Sequence, residues 1–459
     1  MSLDNNRITS IPEFYNGKSV FITGGTGFLG KVLVEKLLRS CPGIENVYLL
    51  VRSKKDKSVN ERLKELTNSQ VFNTLREKDP QAISKIVLIE GDITKLDLGI
   101  SEENRELLAT KVSVIFNSAA NIKFDDSLKG VINANLRSLR ELIKLSRQVK
   151  DLKSFIHIST AYSNWYQMDV GEQFYPAAFD PHYIIDLCNS SSDDQINEVA
   201  EMLLGKHVNT YTFSKALAED LISRIARDLP IAIVRPSTAS WKVAQDRHQK
   251  LAISAPTIYN SVSGNSNPLK IKNYFYFLRD AGRRNPTNMM SWYPQTRLYK
   301  TKFSNDIDIF WTHFIPAFLS DSYAKMKGEN GRALKHLENS KHAFDQIRFV
   351  LNSPIKMYGK NYKKVLESMN KSDQKDFNFD PTTINWKNYF DSYHFGVRKF
   401  IFNDKSVGSV AAQRKFAKLK YMNYILSGSI VAFSLIAVTK LGNKIIRKNE
   451  ENENVSSFK

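Results

Sequence analysis

Cysteine is almost missing from this chain: only Cys41 and Cys188 occur in 459 residues. Their scarcity excludes a disulfide-stapled secreted scaffold and any zinc site built from clustered thiolates. No apolar core of signal-peptide length occurs in the first fifteen residues, which include Asp4, Asn5, Asn6 and Arg7, so secretory entry is not expected. No HExxH, GxSxG or paired-carboxylate pattern stands out, which argues against hydrolase chemistry. Internal repeats and low-complexity tracts are lacking as well. What remains is ordinary: 42% hydrophobic, 25% charged and 11% aromatic residues exclude a disordered or collagen-like chain and leave core enough for two or three domains.

Acidic residues thin out along the chain. Residues 1–240 hold 30 basic and 30 acidic side chains, and residues 241–459 hold 36 and 17, so the net charge of +19 sits wholly in the second part. Such asymmetry suits an anionic partner: a lipid surface, a phosphate-bearing substrate or nucleic acid. With no nucleic-acid reading module in sight, no nucleic-acid partner is expected.

The run Tyr421–Thr439 (YMNYILSGSIVAFSLIAVT) carries no charge. As a helix it spans roughly 28 Å, close to the hydrocarbon thickness of a bilayer. Arg414, Lys415, Lys418 and Lys420 precede it and Lys440, Lys444, Arg447 and Lys448 follow, which suits headgroups on both sides but does not orient it. The expectation is a transmembrane anchor with the preceding part in the cytosol. Asn423 and three serines leave a buried core helix as the alternative. The polar end, Asn449 to Lys459, is expected to be a disordered tail.

Short apolar strands alternate with helix-period stretches in the first half. Ser19–Thr23, Val47–Val51, Ile86–Glu90, Val112–Phe116, Phe155–Ile158 and Ile231–Val234 read as strands, and Gly30–Arg39, Asn135–Val149 and Ser214–Ala226 as helices. The fold class that follows is α/β, a Rossmann-type doubly wound parallel sheet. After about Pro236 the chain becomes aromatic and basic, with helical runs such as Arg332–Leu351 and no strand alternation.

Between the first strand and the first helix lies Thr23–Gly30, TGGTGFLG, which spaces Gly24, Gly27 and Gly30 three residues apart. Glycines there permit a tight turn, close approach of backbone to a pyrophosphate, and close helix–strand packing, while the helix N-terminus offers free N–H groups. Thr23, Phe28 and Leu29 belong to the same loop. At the end of the second strand stands Arg52, where an acidic residue would bind the ribose 2′-hydroxyl of NAD; a basic one accommodates a 2′-phosphate, favouring NADP(H). Its alternative is a solvated basic turn. Asp92 and Ile93 follow the third strand and would lie beside the adenine. Asn117-Ser118-Ala119-Ala120 follows the fourth, where small residues such as Ala119 let the dinucleotide approach.

Tyr211 and Lys215 are four residues apart and share one helix face. An ammonium beside a tyrosine lowers its pKa, so the phenol can pass a proton to a carbonyl oxygen near neutral pH. Ser159 and Thr160 close the fifth strand, where a hydroxyl can fix that oxygen. His157 reads as a packed strand residue. No metal site is expected.

These motifs, TGGTGFLGKVLVEKLL, VYLLVRSKK, EGDIT, HISTAYSN, NTYTFSKALAED and IVRPS, resemble in their order the fatty acyl-CoA reductase family, insect-like members included, within the extended short-chain dehydrogenase/reductase superfamily. WYP (Trp292–Pro294), Phe377–Phe390 and GVRKF (Gly396–Phe400) are similar to that family's C-terminal helical domain. The resemblance implies reduction of a long-chain acyl-CoA to a primary alcohol with two NADPH. It also implies a cofactor domain over 17–270 behind an arm at 1–16, a helical domain over 271–410, and membrane lipid as a partner at 421–439, in the endoplasmic reticulum or peroxisome. A homo-oligomer stays open. Carried over by motif, Tyr211 donates the proton, Lys215 tunes it and binds the nicotinamide ribose, and Thr160 holds the carbonyl oxygen, with Ser159 as the other candidate. Two departures stand out. Several dozen residues that the family places after IVRPS are missing, near 238–255, and Asn117 replaces a histidine common in the fourth-strand motif.

Overall fold

The computed structural model of the chain describes residues 9–52, 58–124, 126–237, 256–299, 301–352 and 355–456. The shortened stretch near 238–255, and the ends 1–8 and 457–459, lie outside the described residues.

The described residues form two compact units. One comprises those up to Pro268 together with Phe310–Ile384, and the other Leu269–Ile309 together with those from Asn385 onward. The first is built on strands β1 (Ser19–Thr23), β2 (Val47–Val51), β3 (Ile86–Glu90), β4 (Val112–Asn117), β5 (Ser154–Ile158), β7 (Ile231–Pro236) and β8 (Thr257–Ser261), all parallel in the order β3-β2-β1-β4-β5-β7-β8. A two-stranded ribbon pairs β6 (Asp169–Val170) with β9 (Lys356–Met357). The chain order reverses beside β1, whose Thr23 lies against Asn117 of β4, and that reversal opens the crevice where such sheets bind ligands.

Side chains of a strand alternate between faces, and here both faces are buried. Phe21, Tyr48, Ile115 and Phe155 face one way, under Leu139 and Leu142 of the helix Ser138–Gln148 and Leu217 and Leu221 of the helix Thr210–Ile225. Val20, Ile22, Leu49, Val114 and Phe116 face the other, under Leu33, Val34 and Leu37 of the helix Phe28–Ser40. That second face is completed from far along the chain by Tyr362, Met369, Phe377 and Phe379. Burying one such aromatic side chain is worth about 1.5–3 kcal/mol, which explains why Phe310–Ile384 returns to the first unit. Polar ties reinforce the return: Asp373, 2% exposed, accepts from the backbone N–H of Ile11 at 3.1 Å, and Asn267 donates to the carbonyls of Pro381 and Ile384 at 2.8 Å.

In the second unit the helix Ile271–Arg284 packs on Trp386–Gly396 through Tyr274 and Phe277 against Phe390, and Arg284 pairs with Asp391 at 2.7 Å. Tyr293 of the WYP motif packs on Phe416, in the long helix Val410–Ser456. That helix differs from expectation twice. It carries the uncharged run Tyr421–Thr439 without interruption, yet among the described residues no helix is long and apolar enough to cross a membrane, so the expected membrane segment finds no support in the fold. It also continues through Asn449–Ser456, where a disordered tail was expected, because no proline intervenes to stop it.

Candidate active site

The glycine loop closes over the end of β4. Gly24 has φ +74°, and a Cβ there would meet the backbone of Ala119 at 2.7 Å and Ser118 at 2.9 Å. A Cβ on Gly30 would come to 2.2 Å from the carbonyl oxygen of Gly24. Both positions therefore admit only glycine, and their contacts draw loop, helix and strand end together. Gly27 is the N-cap of the helix Phe28–Ser40 and supplies no side-chain acceptor to the first turn. Thr23 fastens the loop to β4: its Oγ1 donates to Asn117 Oδ1 at 2.8 Å and accepts from the N–H of Ala119 at 3.2 Å. Asn117 Nδ2 donates to His157 Nδ1 at 3.1 Å, carrying the chain of hydrogen bonds into β5. Burial, with the Lys215 charge adding to it, holds His157 well below the usual imidazole range, so it is a neutral packed residue.

Phe28 is exposed and Leu29 half-buried on the first helical turn. Arg52 extends into solvent and pairs with Asp92 at 3.1 Å, which brings together the two residues expected around the adenine ribose. Burial raises Asp92, but hydrogen bonds from Thr94 and the charges of Arg52 and Lys95 outweigh it and the carboxyl titrates below its ordinary value. Ile93 packs against the core behind it. Gly24, Gly27, Gly30, Arg52, Asp92, Ile93 and Ala119 thus lie at the C-terminal ends of β1 to β4, and a glycine cradle that a single Cβ would fill fits a dinucleotide pyrophosphate.

The helix Thr210–Ile225 carries the candidate residues Tyr211 and Lys215. Asn209 caps it by accepting from the N–H of Thr212 at 2.8 Å. Tyr211 and Thr160 share a side-chain hydrogen bond, while Lys215, 2% exposed, donates from Nζ to the carbonyl of Ile158 at 2.7 Å. Burial pushes the Tyr211 phenol up to about 12, against the hydrogen bond with Thr160. This corrects the sequence expectation of a phenol lowered by Lys215. Desolvation outweighs any charge effect, and the ammonium is aimed at a carbonyl on β5. Lys215 itself is pulled down to about 8 by burial, with Glu219 acting the other way. A neutral, protonated phenol beside a hydroxyl can give a proton to a developing alkoxide.

Ser159 does not join this pair. Its Oγ donates to Glu219 Oε1 at 2.5 Å. Glu219 is 1% exposed and forms an ion pair with the fully buried Arg235. Sequence reasoning passed over both residues, although Glu219 repeats the four-residue spacing of Tyr211 and Lys215, and Arg235 is a charge at the end of an apolar strand. Asn135 was missed as well: it accepts from the N–H of Asn121 at 2.8 Å and donates to Ser214 Oγ at 2.9 Å, fixing the loop after β4 to the helix Thr210–Ile225.

Comparison with known proteins bears on this geometry. Two family models described as "Male sterility protein" match the chain, an NAD-binding one over residues 22–274 and a second over 312–404. Fatty acyl-CoA reductase 1 of Mus musculus is 30% identical over 502 aligned positions, covering 98% of this chain and 96% of its own. Fatty acyl-CoA reductase 2 of the same species is 28% identical, covering 92% of each. Among solved structures, the reductase domain of a nonribosomal peptide synthetase from Mycobacterium tuberculosis superposes with a TM-score of 0.52 at 18% identity, over 86% of this chain and 94% of that one. This last likeness is one of fold. A nicotinamide-binding parallel sheet, a helix that carries the tyrosine–lysine pair and a full-length match to these reductases place the chain in the fatty acyl-CoA reductase family.

Proposed function

We propose that this protein reduces a long-chain fatty acyl-CoA to the primary fatty alcohol with NADPH, through an aldehyde. The observation that carries the reading is the Tyr211–Thr160 hydrogen bond beside the buried Lys215, at the C-terminal end of β5, with the glycine cradle at the same end of β1. NADPH supplies hydride, and the exposed Arg52 suits its 2′-phosphate. Thr160 and Tyr211 hold the thioester carbonyl oxygen, so charge that develops there meets two hydrogen-bond donors. Expulsion of the coenzyme A thiolate leaves the aldehyde in the same grip. On the second reduction Tyr211 passes its proton to the alkoxide, and the hydrogen bond with Thr160, which favours the ionised phenol, steadies the phenolate left behind. Overall the thioester takes up two hydrides and two protons and releases coenzyme A as the thiol. The basic second part of the chain suits the coenzyme A phosphates and an anionic lipid surface.

A second reading is a cofactor-binding member that turns over poorly. It is favoured by one observation: the alignment with the mouse relative runs over 502 positions although this chain has 459 residues, so at least 43 positions have no counterpart here. Their natural place is the segment after Ser237. The two readings separate in one assay. The full chain is expressed in a host without such reductases, and membranes are supplied with NADPH and mixed acyl-CoAs. Fatty alcohol that disappears in Tyr211→Phe, while NADPH binding persists, supports the first. A folded, NADPH-binding wild type that makes neither alcohol nor aldehyde supports the second.

A further inference from the structure

Three side chains of the helix Thr210–Ile225 stand four residues apart and share a face: Tyr211, Lys215 and Glu219. Each holds one of three consecutive residues at the end of β5. Tyr211 takes the hydroxyl of Thr160, Lys215 the carbonyl of Ile158 at 2.7 Å, and Glu219 the hydroxyl of Ser159 at 2.5 Å. Glu219 also accepts from Ser163 Oγ at 3.1 Å. Behind it stands Arg235 of β7, whose Nε donates to Glu219 Oε1 at 2.9 Å and whose other nitrogens donate to the carbonyls of Gly171 at 3.0 Å and Gln173 at 3.1 Å. One buried ion pair thereby ties the catalytic helix, the end of β5, the loop that follows it and β7.

We propose that Glu219, held by Arg235, is a positioning residue for the reduction: it stands as a countercharge one helical turn from Lys215 and withdraws Ser159 from the reacting carbonyl, leaving Thr160 as the hydroxyl that faces Tyr211. Stability alone is a poor reason for such a pair. An apolar pair of similar volume serves a core at least as well, because two buried charges must first be stripped of water. Position gives a better reason. Glu219 lies one helical turn beyond Lys215, a lysine that burial pulls down to about 8 and that Glu219 pushes back up. Among the described residues, Tyr211 on its own helix and His157 on β5 also face Lys215; His157 is neutral, and Arg235 is engaged by the carboxylate. Glu219 is therefore the countercharge that keeps the lysine protonated at neutral pH.

The inference rests on the assignment of Tyr211, Lys215 and Thr160 to the chemistry, so its test reads cofactor binding rather than turnover. NADPH affinity is measured by fluorescence between pH 6.5 and 9.5 for the wild type, for Glu219→Asp, and for Glu219→Gln combined with Arg235→Gln, with a thermal melt at each pH. Wild type and Glu219→Asp should lose affinity as pH rises through about 8. The double variant should lose it about one pH unit lower, and so bind about tenfold more weakly at pH 8 while matching the wild type at pH 6.5. A lower melting temperature with an unmoved break would make the pair merely structural and overturn the proposal, as would a wild-type affinity that is flat across the range. If the glutamine pair does not fold, Glu219→Met with Arg235→Leu carries the same comparison. A wild type that shows the break but yields no aldehyde or alcohol overturns the proposed function and leaves the role of Glu219 standing; one that binds no dinucleotide overturns both.

Discussion

Arg52 and Asp92 form an ion pair at the rim of the cofactor site, and Arg52 keeps 64% of its side chain in water. An exposed pair of this kind contributes about 0–1 kcal/mol to stability, so the guanidinium is free to serve a ligand at little cost to the fold. If it binds the 2′-phosphate, Arg52→Ala should weaken NADPH by about tenfold and leave NADH nearly unchanged, with the melting temperature constant. Equal weakening of both dinucleotides in fluorescence titrations would remove Arg52 from cofactor selection. Single residues also mark the limit of reading from sequence. The glycine spacing, Tyr211 and Lys215 were legible because each obeys a local rule of turn or helix. Whether Ser159 or Thr160 faces the tyrosine was not legible, since neighbouring residues on a strand end point opposite ways and only the partner Glu219, sixty residues on, decides between them.

Six of the seven main-sheet strands announce themselves as apolar runs between turn residues. β8, TIYNS, does not: it has two large apolar residues and takes its strand form from pairing with β7, from Thr257 opposite Ala232 to Ser261 opposite Pro236. The helices of Phe310–Ile384 hid in another way. Their own periodicity says that they are helices, but not which surface they cover. Glu172, just after β6, accepts from the N–H groups of Asn260 at 2.9 Å and Tyr362 at 3.2 Å, so it caps the helix Lys360–Glu367 against the sheet from nearly 190 residues away. Phe377 lies in the same layer beneath the ammonium of Lys36, 4.5 Å from its ring centre. Phe377→Ala should therefore destabilise the cofactor unit by about 3–5 kcal/mol, read in denaturant unfolding followed by NADPH fluorescence. A loss below about 1 kcal/mol would show that the layer is dispensable.

For the whole molecule, localisation is a proposal of its own: membrane attachment through Tyr421–Thr439. Its support is an uncharged run with four basic residues on either side and side chains such as Tyr421, Tyr424 and Leu435 exposed along the helix. A fluorescent fusion of the full chain should sediment with membranes, and one ending before Tyr421 should stay in the supernatant. Co-sedimentation of the shortened chain would move the attachment elsewhere, and a soluble full chain would end the idea. The return of Phe310–Ile384 to the first unit has a different consequence, one of timing. During synthesis the sheet strands leave the ribosome first, yet the side chains that complete the face of Val20, Ile22 and Leu49 belong to residues 362–379. At about 5–20 residues per second, the stretch after Pro268 takes on the order of 6–25 s to follow. For that interval the nascent chain carries a nearly finished cofactor fold with one oily flank only partly covered, a natural client for a chaperone and a point at which slow translation would favour misassembly.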